Sequence, residues 1–129
     1  MKKIITLLLS VICLWTLAAC GKKAAPIVLP DPGKIVSIDV TDSRSTKTHS
    51  DRTWISEIIS GITSSEPTDK ESVQDTPQNK DYLKIDLQFE VGTSTLFVYE
   101  DNGKYYAEQP YQGIYSITQD VYEQIKESE

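Results

Sequence analysis

Tyrosine is the most concentrated of the residues able to do chemistry in this chain. Tyr99, Tyr105, Tyr106, Tyr111 and Tyr115 fall within seventeen residues and are five of the seven tyrosines. A tyrosine joins a large apolar face to a polar tip and has few rotors, which suits it to recognition. Tyr106, Gln109, Tyr111 and Tyr115 are therefore the candidate ligand-binding residues, although cross-strand aromatic pairs that stabilise a thin sheet would use the same side chains. The single histidine, His49, stands beside Ser50 and Asp51. A catalytic triad is a spatial arrangement, and three adjacent residues do not make one; a polar loop leading into a helix cap explains them. There is no Ser-x-x-Lys, no phosphate-binding loop and no Gly-x-Gly-x-x-Gly. Asp39, Asp86, Glu100 and Glu108 remain. Two carboxylates flanking a groove can hydrolyse a glycoside, but acids on strand faces also serve simply as a solubilising surface. No Asp-x-Asp-x-Asp-Gly calcium loop is present; Glu100-Asp101-Asn102-Gly103 could bind calcium weakly, but a hairpin turn already explains it. The expectation is a chain with no catalytic residue, no metal site and no cofactor.

Cys20 has a different chemistry. Met1-Lys2-Lys3 is a short basic start, a predominantly apolar run follows from Ile4 to Leu17, and Ala18-Ala19 are small. This is the layout of a secretory signal peptide, and the apolar run falls short of the roughly 20 residues of a spanning helix. Leu17-Ala18-Ala19-Cys20, followed by Gly21, resembles the lipobox of bacterial lipoproteins. The resemblance implies a diacylglycerol on the Cys20 thiol and cleavage just before it. Two acyl chains suffice for stable anchoring. The membrane is then a partner through the lipid on Cys20, and the protein faces the extracytoplasmic side. Cys13 leaves with the leader, so the mature chain has no free thiol for nucleophilic or redox work.

The charge pattern agrees. The chain of 129 residues has 13 basic and 19 acidic side chains, but residues 1–19 hold two lysines and no acid, which leaves a formal charge of −8 on the rest. Phosphate backbones repel such a surface, so no nucleic-acid partner is expected. The length suits one domain. The expected organisation is a signal peptide over 1–19, a lipidated cysteine and Pro/Gly tether over 20–33, and a single monomeric domain over 34–129. Pro26, Pro30 and Pro32 keep the tether extended, while Ile27-Val28-Leu29 is expected to pack on the domain.

The elements follow from periodicity. Val36, Ile38 and Val40 alternate with polar residues and predict a half-buried strand. Asp42 to His49 reads as a polar loop. Trp54, Ile55, Ile58, Ile59 and Ile62 repeat at helical spacing behind a cap at Ser50 or Asp51, with Gly61 placed to end the helix. Thr63 to Asp81 is a long polar stretch; a loop of that length is either functional or disordered. Leu83, Ile85, Leu87 and Phe89 alternate, Ser94 to Glu100 is a strand, and Asp101-Asn102-Gly103 is a hairpin turn. Lys104 to Gln109 pairs back, Gly113 to Ile117 is a last strand, and Thr118 caps a final helix. The expected fold is α+β: an antiparallel sheet of four to five strands with two helices on one face, in the order β-α-β-β-β-β-α.

The segments Tyr82 to Leu87, Leu96 to Glu100 and Lys104 to Tyr115, together with Leu29 to Pro32 and Trp54 to Ile59, resemble a family from low-GC Gram-positive bacteria, domain of unknown function 5301. The most specific part is Glu108-Gln109-Pro110-Tyr111-Gln112-Gly113-Ile114-Tyr115. The resemblance spans roughly residues 27–126. The family has no established activity, so it carries no catalytic residue to this chain, and the resemblance implies a non-enzymatic domain at the cell surface, with sensing as one role for it. Three functions are expected in descending order: a membrane-anchored binding or sensory lipoprotein for an envelope protein, peptide or glycan; an immunity or inhibitor lipoprotein acting on a toxin or hydrolase; and a carboxylate glycosidase.

Overall fold

A computed structural model describes residues 25–128. The expected leader, the lipobox and Cys20 lie outside the described residues. Among these residues, a 3-10 turn at Pro32–Lys34 is followed by seven strands and two α-helices: β1 (Ser37–Thr41), β2 (Thr46–His49), α1 (Arg52–Thr63), β3 (Glu66–Pro67), β4 (Leu83–Gln88), β5 (Thr93–Asp101), β6 (Lys104–Gln109), β7 (Gly113–Ile117) and α2 (Gln119–Glu127). The fold is α+β, and every strand pairing is antiparallel.

The expectation of four to five strands falls short of the seven in the sheet, and the element order is β-β-α-β-β-β-β-β-α. Both missed strands are at the sheet edges, where alternation is weakest. β2 lies in the segment expected to be a polar loop. Its residues are largely exposed, so no apolar periodicity marks it. The Asp42 carboxylate makes the hairpin by accepting from the backbone N–H of Arg44 and of Ser45, both at 2.7 Å. β3 is two residues long and contains Pro67, which an edge strand tolerates.

α1 starts where its cap predicts, with the Asp51 carboxylate accepting from the Trp54 N–H at 2.8 Å. Its four isoleucines are buried, each contributing about 1.5–3 kcal/mol of hydrophobic stabilisation. The helix does not end at Gly61. It runs on to Thr63, and Gly61 serves instead as the point where α2 comes close: a Cβ there would stand 2.6 Å from Cγ2 of Val121. Tyr122 and Ile125 of α2 join the α1 isoleucines, Ile38, Ile85, Leu87, Leu96 and Val98 in one core cluster. Ile27 is 5% exposed and belongs to that cluster, and Leu29 packs against it; Val28 between them is exposed, so the segment after Pro26 packs on the domain through two of its three apolar residues.

Strand order fixes the paths of the two long connections. The sheet runs β2-β1-β4-β5-β6-β7-β3. α1 carries the chain from one edge strand to the other, across the face that holds the core. The chain must then return from β3, at the far edge, to β4 in the middle. That distance is four strand spacings, roughly 19 Å. Residues 68–82, here called the strap, span it over the opposite face.

Candidate functional site

The outer face of the sheet has two halves. On β2, β1, β4 and the start of β5 it is polar and open: Thr48, Asp39, Asp86 and Thr95 stand in register. The threonine hydroxyls donate to the two carboxylates, Thr48 to Asp39 at 2.7 Å and Thr95 to Asp86 at 2.5 Å. On the rest of β5, β6 and β7 it is aromatic and covered. Tyr99, Tyr106 and Ile114 form a second buried cluster there. The strap crosses this half.

Fifteen residues are many more than the crossing needs, since extended chain gains about 3.3 Å per residue. The slack takes no regular secondary structure and is tied down by side chains. Thr68 donates through its N–H and its hydroxyl to the Ile114 carbonyl, at 3.1 and 2.6 Å. The Lys70 ammonium lies 4.2 Å from the centre of the Tyr106 ring. Ser72 Oγ donates to Glu108 Oε2 at 3.0 Å, and Gln74 Nε2 reaches the same oxygen at 3.4 Å. The Tyr111 hydroxyl donates to Asp75 at 2.7 Å.

Glu108 is the centre of this arrangement. It is 1% exposed, and its other oxygen accepts from the Tyr99 hydroxyl at 3.2 Å. All three of its partners are neutral. Lys84 forms an ion pair with Asp86 on the open half of the face; among the described residues no cation pairs with Glu108. Burial, and then the negative charge of Glu108, push the Tyr99 hydroxyl well above its ordinary range, so Tyr99 stays a donor at any physiological pH. Between strap and sheet there is a pocket of about 420 Å³, lined by Lys70, Glu71, Gln74, Gln78, Asn79, Tyr99, Asp101 and Glu108 with Val73 and Ile114.

Tyr111 is the strained residue of the site. The turn Gln109-Pro110-Tyr111-Gln112 is closed by the Gln112 N–H on the Gln109 carbonyl at 2.9 Å. Its third position needs a left-handed backbone, which glycine or asparagine adopts easily. Tyrosine stands there at φ 61°, and the residue is 60% exposed. The conformation aims the hydroxyl at Asp75 of the strap.

The model of the DUF5301 family, described as a domain of unknown function (DUF5300), matches residues 23–116. The chain belongs to the DUF5301 family. The match includes the whole sheet except the last residue of β7, together with α1 and the strap, and stops before α2. A solved structure, the NMR structure of a protein from Ruminococcus gnavus, is similar to this DUF5301 chain at 36% identity and a TM-score of 0.64. The similarity covers 75% of this chain and 99% of the other. No curated protein matches.

The four binding candidates in this DUF5301 chain do not form one platform. Tyr106 is buried under the strap, stacked at a tilt on Tyr99 with ring centres 5.8 Å apart. Tyr111 is at the strap's edge. Tyr115 pairs with Ala107 and points to the helix side, where it is 2% exposed in the main core. Gln109 is half-buried at the end of β6. The structure thus brings Tyr106 and Tyr111 to the strap and takes Tyr115 to the opposite face. Of the acids, Asp39 and Asp86 are direct partners across β1 and β4, whereas Glu108 lies in the pocket and Asp86 does not. His49 stacks on Trp54 with ring centres 4.3 Å apart, away from the strap.

Tyr99 and the strap residues were absent from the sequence-predicted set. One signal in the sequence points to them. Leu96-Phe97-Val98-Tyr99 is a continuous apolar run, which marks a strand covered on both faces. Something must then lie on the second face, and the long polar stretch after α1 is the chain left to do it.

Proposed function

We propose that this chain is a lipid-anchored lipoprotein of the extracytoplasmic membrane surface. Its single domain acts as a non-catalytic binding or sensory module and takes its ligand in the pocket beneath the strap. The anchoring half of this reading rests on the basic start, the apolar run and Leu17-Ala18-Ala19-Cys20-Gly21. The binding half rests on one observation above all: a buried carboxylate, Glu108, lines a pocket of about 420 Å³ under a segment held by side-chain contacts rather than by a strand ladder. A pocket of that size suits a small ligand or one side chain of a larger partner. A strap without ladder bonds can open at low cost compared with the core. The ligand is carried by an envelope protein, peptide or glycan, and the domain works as a monomer.

The test places a photo-crosslinking amino acid at Asn79, on the pocket wall, in the full chain made in living cells. A specific adduct that disappears when Glu108→Gln is added supports the reading. No adduct, or one that Glu108→Gln leaves unchanged, contradicts the pocket assignment.

A further inference from the structure

We infer that the pocket beneath the strap binds an alkylammonium group, with Glu108 as its counter-charge. The inference rests on the binding reading above and names the ligand's chemistry. Taking a carboxylate out of water costs several kcal/mol unless a cation or metal compensates it. Glu108 is 1% exposed and meets only the hydroxyls of Ser72 and Tyr99 and the amide of Gln74. Three neutral donors orient this carboxylate and, among the described residues, no cation pairs with it, which leaves it open to a cationic ligand as a further partner.

The rest of the pocket has the same sign. Glu71, Asp101 and Glu108 line it against one basic residue, Lys70. Lys70 does not neutralise Glu108. Its ammonium sits over the Tyr106 ring at 4.2 Å, which places the chain's own cation beside the pocket. A tyrosine face attracts ammonium groups, more strongly where water is excluded. An incoming ammonium would find an aromatic wall at Tyr99, a carboxylate at Glu108 and a second acid at Asp101. Lys70 would be its competitor, mobile enough to swing out on its four-carbon stem. An anionic ligand would need the reverse arrangement, with Lys70 as its anchor.

This opposition gives the test. The full chain, in detergent micelles and isotope-labelled, is titrated with butylammonium chloride, with the peptide amide Gly-Lys-Gly and with sodium butyrate, and the backbone amides of Gln78, Asn79 and Glu108 are followed by NMR. The two ammonium probes are expected to shift these amides saturably, and butyrate is not. Glu108→Gln should weaken ammonium binding by about tenfold, the equivalent of one charge-assisted hydrogen bond. Lys70→Met should tighten it. Should Glu108→Gln disturb the fold, Asp101→Asn on the pocket wall takes its place, with a smaller loss expected. Tighter binding of the peptide than of butylammonium marks a peptide-borne ammonium, and equal binding a free amine. The inference is overturned if neither ammonium probe binds, if the acid-to-amide variants leave ammonium affinity unchanged, or if Lys70→Met weakens it. Butyrate binding that is lost in Lys70→Met would overturn the ammonium class and leave the pocket standing, whereas the crosslink from residue 79 tests the pocket itself.

Discussion

Three side chains carry most of what distinguishes this domain from a plain scaffold: Glu108, Tyr99 and Tyr111. Glu108 was legible in the sequence only as one acid among several on strands, because periodicity reports which face a residue is on and not what covers that face. Tyr99 holds Glu108 through a hydrogen bond to a charged group, a class worth about 1.5–3 kcal/mol. Tyr99→Phe is expected to lower stability by that order in urea unfolding at neutral pH. The same bond has a pH signature. The folded Tyr99 hydroxyl is raised above its ordinary value of 10.0. Its contribution is present below that pH and is lost as pH rises above it, because the unfolded chain releases the proton first. Wild-type protein should therefore lose stability from about pH 10 upward more steeply than Tyr99→Phe. His49 acts at the other end of the scale. Burial, reinforced by Lys47 and opposed by Asp39, holds its imidazole below the ordinary 6.5, and its Nε2 is buried with no hydrogen-bond partner. The unfolded chain binds the proton first, so this residue should cost stability as pH falls below about 6.5. Replacing His49 with Phe, which keeps a ring against Trp54, should flatten that part of the profile in thermal melts.

At the scale of elements, the inner strands and both helices are legible and the edges are not. β1, β4, β5, β6 and β7 alternate or run apolar because each has a buried side. β2 and β3 take their structure from a neighbour's ladder and carry little pattern of their own. The strap was legible as a long polar segment, but its path depends on strand order, which no local pattern encodes. Gly61 is an instructive case. As a local signal it reads as a helix end; in the packed molecule it is a contact. Gly61→Ala would gain about 1 kcal/mol of helix propensity and lose about 1–3 kcal/mol to the clash with Val121. The expected outcome in urea unfolding is a net loss, mostly recovered when Val121→Ala is added. A loss of the same size in the double variant would show that the two helices do not meet there as described.

At the scale of the molecule, the two faces of the sheet do different work. The described domain has its core on the helix side and its strap, pocket and most distinctive side chains on the other. None of its helices, among the described residues, is long and apolar enough to cross a membrane. In the proposed reading, attachment is made by the lipid at Cys20, and the segment between it and Ile27 is the tether. The acidic surface would keep such a domain soluble and off anionic lipid. That a lipid holds this domain outside the membrane is the claim from which localisation and access to an envelope ligand both follow. It is tested most directly by intact-protein and N-terminal peptide mass spectrometry of the chain extracted from the membranes of cells that make it. The expected result is a chain that begins at Cys20 and carries the mass of a diacylglycerol there, with Cys20→Ala leaving the leader uncut and the lipid absent. An unlipidated N-terminus on the wild-type chain, or membrane attachment unchanged in Cys20→Ala, would contradict it.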